Sequence, residues 1–227
     1  MTEAGEARAA DAALAVPVWD LPIRLFHWSL VALIGFSWWS AETGRLEWHM
    51  WSGIAVLFLL LFRILWGFLG SSTARFASFV RGPGQVVAYL RDPSGWTASG
   101  HTPLGALSVV AILLILLVQV GLGLPISDED GIYSGPLNRL VSFDTAEWMH
   151  HWHHRFFTVV QIIAAVHVAA IIVYRLKGKK LVGAMVTGRS RQAAGAPMVG
   201  AGPVRLLICL AVAGAISWWV QRGAPGL

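Results

Sequence analysis

Four histidines, His27, His49, His153 and His167, are placed where side chains of a helical bundle could hold metal-bearing groups at two levels. His153 and His167 are fourteen residues apart in one apolar run, a rotation of about 1400°, so they miss the same helix face by only roughly 40°. Their axial separation is then about 21 Å. That distance is too long for one metal ion and suits two stacked haems, one near each surface of a membrane. Imidazole nitrogen is a good axial ligand for haem iron, and facing helices can grip the porphyrin between apolar walls.

Such a bundle needs spanning helices, and the composition supplies them. The chain has 227 residues, 56% of them hydrophobic and only 13% charged, with mean hydropathy +0.63, outside the norm for soluble domains. Apolar runs predict helices over 25–41, 49–69, 103–124, 154–175 and 203–220, each near the roughly 20 residues that cross the hydrocarbon layer. The expected fold is an all-α integral membrane bundle, with four helices around the two haem positions and a fifth at the C-terminal end. Residues 1–19 read as a disordered cytoplasmic tail, because they carry acidic residues and no basic segment ahead of an apolar stretch. Residues 20–185 form the di-haem membrane domain, 186–202 a cytoplasmic linker rich in Gly, Ala, Arg and Ser, and 203–220 the added span. Asp20 with Pro22 makes a helix entry, and Pro125 closes the third span. Residues 74–92 are too polar to cross and suit a segment lying in the interface. Cys209 is the single cysteine, so no intrachain disulfide is possible.

Basic residues set the expected orientation. With the N-terminus inside, 12 of the 17 Lys and Arg fall in inner segments, and four, Arg45, Arg139, Arg155 and Arg222, fall outside. Eight of the 12 tryptophans, including Trp38, Trp39, Trp48, Trp51, Trp148 and Trp152, then line the outer interface as an aromatic belt. The net charge of +5 is accounted for by inner loops facing anionic lipid and calls for no nucleic acid.

Depth now sorts the histidines. His27 lies near the inner end of the first helix and His49 at the outer end of the second, which runs antiparallel to it. The fourth helix enters from outside, so His153 is outer and His167 inner. Equal depth therefore pairs His49 with His153 and His27 with His167. Within the cluster HHWHH, phase relative to His167 selects His153, off by about 40°, over His150, His154 and His151, off by about 100°, 140° and 160°. A histidine at a helix end is commonly only an interface residue. His167 is different, since it stands in TVVQIIAAVHVAAIIVY, where an ionisable group is costly and is by default a functional-site candidate.

Two further residues carry open readings. Arg63 is fourteen residues after His49, at the depth of the inner haem, where it either neutralises a propionate or snorkels to the interface. His101 opens the third helix and either serves a propionate, a quinone or a quinone-linked proton, or is a plain interface histidine. Gln119 is expected to hydrogen-bond across helices.

From about residue 17 to 190 the chain resembles the prokaryotic cytochrome b561 family, which includes the b-type cytochrome subunits of membrane-bound nickel–iron hydrogenases. The matching segments are VWDLPIRLFHW, HMWSGIAVLFLLLFRILWGF, FVRGPGQVVAYL, GHTPLGAL and HHRFFTVVQIIAAVHVA, in this order. The resemblance implies a four-helix core with two b haems, His27, His49, His153 and His167 as iron ligands, exchange with the quinone pool, and a redox partner on the outer face. His154 departs from the family pattern, in which the position after the outer ligand is often acidic.

The function expected is electron transfer between a periplasmic redox protein, a c-type cytochrome or a hydrogenase-like subunit, and membrane quinone. The chain would be a multi-pass protein of the bacterial inner membrane, with its N-terminus cytoplasmic and C-terminus periplasmic, serving as the electron-transfer subunit of an oxidoreductase. Outer-loop carboxylates, among them Glu42, Glu47, Asp128, Asp144 and Glu147, suit a cationic partner. Two readings from other classes compete: a histidine-rich metal-ion transporter or sensor using HHWHH as its entry, and a non-redox membrane anchor that leaves His167 unexplained.

Overall fold

A computed structural model describes residues 15–93, 100–128, 132–191 and 196–227. Five helices are long and apolar enough to cross a membrane. They are α1 (Leu21–Glu42), α2 (Leu46–Leu69), α5 (Pro103–Gly123), α6 (Phe143–Leu176) and α8 (Pro203–Gln221); between them lie the shorter α3 (Phe76–Phe79), α4 (Pro83–Arg91) and α7 (Leu181–Thr187).

The helices begin where the chain offers caps. Asp20 accepts from the Ile23 amide at 2.8 Å and Pro22 fills the first turn of α1. Thr102 accepts from the Gly105 amide ahead of Pro103 in α5. Ser142 caps α6, with Asp144 in its first turn facing the positive end of the helix dipole. This cap starts α6 eleven residues before the expected 154. The helix is 34 residues long, about 51 Å, so it outreaches the roughly 30 Å hydrocarbon core and carries HHWHH on its projecting end.

Helix α2 is the centre of the bundle. It forms an antiparallel hairpin with α1, packs against α8 on another side, and meets α5 on a third. Leu60 and Trp66 are almost wholly buried along it, and the Trp66 indole N–H donates to Asp20 Oδ2 at 2.9 Å, joining the start of α1 to the end of α2. The fifth span belongs to this core: α8 turns the small residues Cys209, Ala213 and Ser217, spaced by four, toward the interior. With no long side chain between them, the two backbones come close, which is how helices associate without a hydrophobic driving force. The α8 end is tied down by Arg139, which donates to the carbonyls of Gly223 and Ala224.

Helix α6 packs closely on α5 and more lightly on α7, and touches α1 and α2 only sparsely. Just Ala146 and Val160 of its 34 residues are buried. A gap therefore separates α6 from the α1–α2 hairpin, along the line that carries the four histidines.

Segments 74–92 do not span: α3 and α4 lie there, with the Tyr89 hydroxyl 3.3 Å from that of Tyr174 on α6. Of the expected tail, residues 1–14 lie outside the described residues. Val16–Pro17 forms a two-residue antiparallel pairing with Arg189–Ser190, and the Met198 amide donates to the Pro17 carbonyl. Val199 exchanges bonds with Ser72, so the described parts of 186–202 are fastened to the base of the bundle; residues 192–195 are outside the description.

Candidate functional site

At the end where α1 turns into α2, called the upper end below, the gap opens into a cavity of about 690 Å³ lined by His49, Gly53, Gln119, Gly123, His153 and Phe157, with Glu42, Asp128, His150 and His154 among the other lining residues. Its volume lies in the range of cofactor sites. The His49 and His153 rings meet at this cavity nearly at right angles, with centroids 5.9 Å apart and planes at 83°. Two imidazoles reaching one metal from opposite sides at about 2 Å per nitrogen would place their centroids about 6 Å apart. The observed separation is close to that distance.

Backbone carbonyls fix both rings. His49 Nδ1 lies 2.9 Å from the Ser37 carbonyl and 3.1 Å from the Ser37 hydroxyl. His153 Nδ1 lies 3.0 Å from the Gln119 carbonyl. Each carbonyl accepts only if Nδ1 carries the proton, which leaves Nε2 as the lone-pair nitrogen; that of His153 lies 3.3 Å from the Gln119 side-chain nitrogen, whose N–H can donate to it. The Gln119 amide also crosses from α5 to α6, donating to the His153 carbonyl at 3.1 Å, while its Oε1 is buried with no partner. Gly123 completes the fit: a Cβ added there would stand 2.8 Å from the His153 ring.

The lower pair is built more simply. His27 on α1 and His167 on α6 are half-buried electrostatic neighbours. His27 Nδ1 is buried and without a hydrogen-bond partner, and its ring meets Trp28 edge-on at 4.9 Å. Fourteen residues separate the two α6 histidines, so this level lies about 21 Å below the first.

Arg63 is 3% exposed, so it does not snorkel to an interface. Its guanidinium lies 5.0 Å from the Phe76 ring and 5.9 Å from the Phe79 ring, Asp20 is its electrostatic partner, and Nη1 is left without an acceptor. His101 packs between Trp19, at 4.6 Å, and Phe79, at 4.5 Å, with Nδ1 buried and unpartnered. Burial first, and then the Arg63 charge, push this imidazole down to about 3. It is neutral at pH 7. The Arg63 Nη1 donor and the His101 Nδ1 atom are thus two buried polar atoms without a partner in the same region of the bundle.

A pH test follows from His101. Above about pH 6.5 folded and unfolded chains both hold it neutral; between there and about 3 only the unfolded chain binds the proton. Stability is therefore lost as pH falls, by up to ~1.4 kcal/mol per pH unit. Thermal unfolding in detergent at pH 7.5 and 5.0 should show a smaller acid loss for His101→Gln than for the unaltered chain; equal losses would refute this.

Of the cluster HHWHH, only His153 turns its ring to His49. His150 and His154 pair with each other at 4.8 Å at the cavity mouth, and His151 is exposed against Trp152. Among the described residues no three His, Cys, Asp or Glu side chains stand together as a metal-binding group. Sequence reasoning missed Ser37 and Gly123. It also missed the part of Gln119 that matters most, its backbone oxygen.

A multi-span helical bundle with a histidine-lined gap between one helix and a hairpin is the architecture of a membrane cytochrome. The family model for prokaryotic cytochrome b561 matches residues 18–188, and the chain belongs to that family. No curated protein and no solved structure matches it. Membership makes the chain a transmembrane b-type cytochrome in electron transfer, of a family that typically binds haem b. The cavity, the ring spacing and the glycine opposite His153 fit that group.

Proposed function

We propose that the chain holds two b haems, one between His49 and His153 and one between His27 and His167, and carries electrons between a redox protein outside the inner membrane and the quinone pool. The observation that supports this most is the His49–His153 pair, 5.9 Å apart with both Nδ1 atoms held by carbonyls. Bound haem iron supplies reversible one-electron chemistry.

The chain's part is to fix, exclude and attract. The paired histidines at each level would hold the group from both sides, a ligand set suited to electron transfer and not to oxygen binding. The bonds to Ser37 and Gln119 hold the upper rings in one tautomer and one orientation. At the lower end Arg63 presents an unmatched donor, and His101 an unpartnered ring nitrogen beside it, to a haem propionate or a quinone. Orientation follows the basic residues, with the upper end periplasmic and the N-terminus cytoplasmic. Glu42 and Asp128 at the cavity mouth favour a cationic partner there, as a c-type cytochrome would be.

The test is a reduced-minus-oxidised spectrum of the purified protein with pyridine-haemochrome quantification. Two b haems per chain are expected. None would overturn the assignment in favour of a structural anchor, and one would overturn the two-level arrangement.

A further inference from the structure

We infer that His150 and His154 form a surface site for one divalent transition-metal ion at the rim of the upper cavity, an ion of the class that imidazole prefers, such as Cu2+, Ni2+ or Zn2+.

The helix itself makes the pair. His150 and His154 are four residues apart in α6, so their imidazoles leave the same face one turn, about 5.4 Å, apart. Histidines at this spacing bring two ring nitrogens to one ion without any loop having to close. The rings stand with centroids 4.8 Å apart and planes at 53°. Two imidazoles at neighbouring positions of one ion, at about 2 Å per nitrogen and roughly 90–110° between them, have centroids about 4.4–5.2 Å apart. The observed separation lies inside that range.

The surroundings set this pair apart from the histidines of the cavity. The His153 ring is 6.2 Å from that of His154, but its Nδ1 is held 3.0 Å from the Gln119 carbonyl on α5. His151 lies against Trp152 and outside the pair. Negative charge is at hand: Glu42 and Asp128 line the same cavity, and Glu42 is an electrostatic neighbour of His154. Glu42 Oε1 accepts from the Trp38 indole at 3.1 Å, which holds this carboxylate near the rim. His154 is exposed and His150 half-buried, on the end of α6 that projects beyond the hydrocarbon, so an ion reaches them from water. Two protein nitrogens with water in the remaining positions make an open, exchangeable site, unlike the closed four-ligand sites that hold a structural ion. The site goes beyond the two-haem reading and does not rest on it.

The probe is Cu2+, added to purified, chelator-treated holoprotein that carries no histidine tag. Equilibrium dialysis with metal analysis should find one Cu2+ per chain, and its electron paramagnetic resonance spectrum should carry the splitting of two imidazole nitrogens. Zn2+ should displace it. His150→Gln and His154→Gln should each lose this signal with helicity and haem content unchanged, whereas His151→Gln should keep it. Glu42→Gln should weaken binding and leave the two-nitrogen signal in place. No bound Cu2+, binding that neither rim variant alters, or equal loss in His151→Gln would overturn the site. Loss in His49→Ala with both rim variants unaffected would also overturn it, by moving the ion into the cavity. One haem or none, with the copper signal still lost in both rim variants, would overturn the two-haem reading and support this inference.

Discussion

Replacing His167 by alanine is expected to halve the haem content of the purified protein, from two per chain to one, with the spectrum of the His49/His153 haem retained. His167 lies in the middle of the most apolar stretch of α6, where no water competes and an ionisable ring is retained only for a purpose. Removing it leaves His27 as a single ligand across a gap that α6 and α1 do not close by themselves. One axial bond cannot hold a haem against loss to detergent when the other side is an alanine methyl. The helix itself should survive: alanine is the best helix former, and the substitution takes a polar ring out of hydrocarbon. The retained upper haem, read from the same sample, is the control for folding. Retention of both haems would refute the His27/His167 pairing. Loss of both, with far-ultraviolet helicity unchanged, would refute the independence of the two levels.

The spans were legible because hydropathy is a property of whole segments, and five of them in sequence correspond to the five long helices of the structure. Helix starts were legible only where a cap stood beside an apolar run, as with Asp20 and Pro22. The first turns of α6 read FDTAEWMHHWH, too polar to suggest a membrane helix. They are helical because Ser142 supplies the cap, and a nucleated helix extends cheaply through residues that would not start one. The histidine spacing was legible for a similar reason: fourteen residues is a near-integral number of turns whatever surrounds them. What holds the rings was not, because every residue has a carbonyl and the sequence does not say which one faces Nδ1. Ser37 and Gln119 acquire that role from the register of α1 against α2 and of α5 against α6. The stripe Cys209, Ala213 and Ser217 was visible as small residues at helical spacing, but not that α2 was the surface it met.

Gly123→Val is expected to remove the upper haem alone, leaving one haem per chain with the properties of the His27/His167 level. No ligand is altered by this change, so it tests the shape of the site. A Cβ at position 123 would stand 2.8 Å from His153 Cε1 and 3.0 Å from Nδ1, closer than carbon and ring atoms approach in folded proteins. Valine adds two methyl groups to that collision. The ring cannot yield in place: Nδ1 is held by the Gln119 carbonyl one turn earlier on the same helix, α5, that carries Gly123. Turning the ring away breaks this bond and takes Nε2 off the line to His49. Shifting α5 instead costs packing against α6, where overfilling a close contact is destabilising by about 1–3 kcal/mol. Rotation of the ring is the cheaper response, since it gives up one hydrogen bond worth about 0.5–1.5 kcal/mol. Either response misplaces His153 relative to His49. Gly121 is the matching control on the same helix, because an added Cβ there meets nothing within 4 Å. Gly121→Val should keep two haems per chain, so a loss common to both variants would trace to valine in α5 and not to the His153 ring.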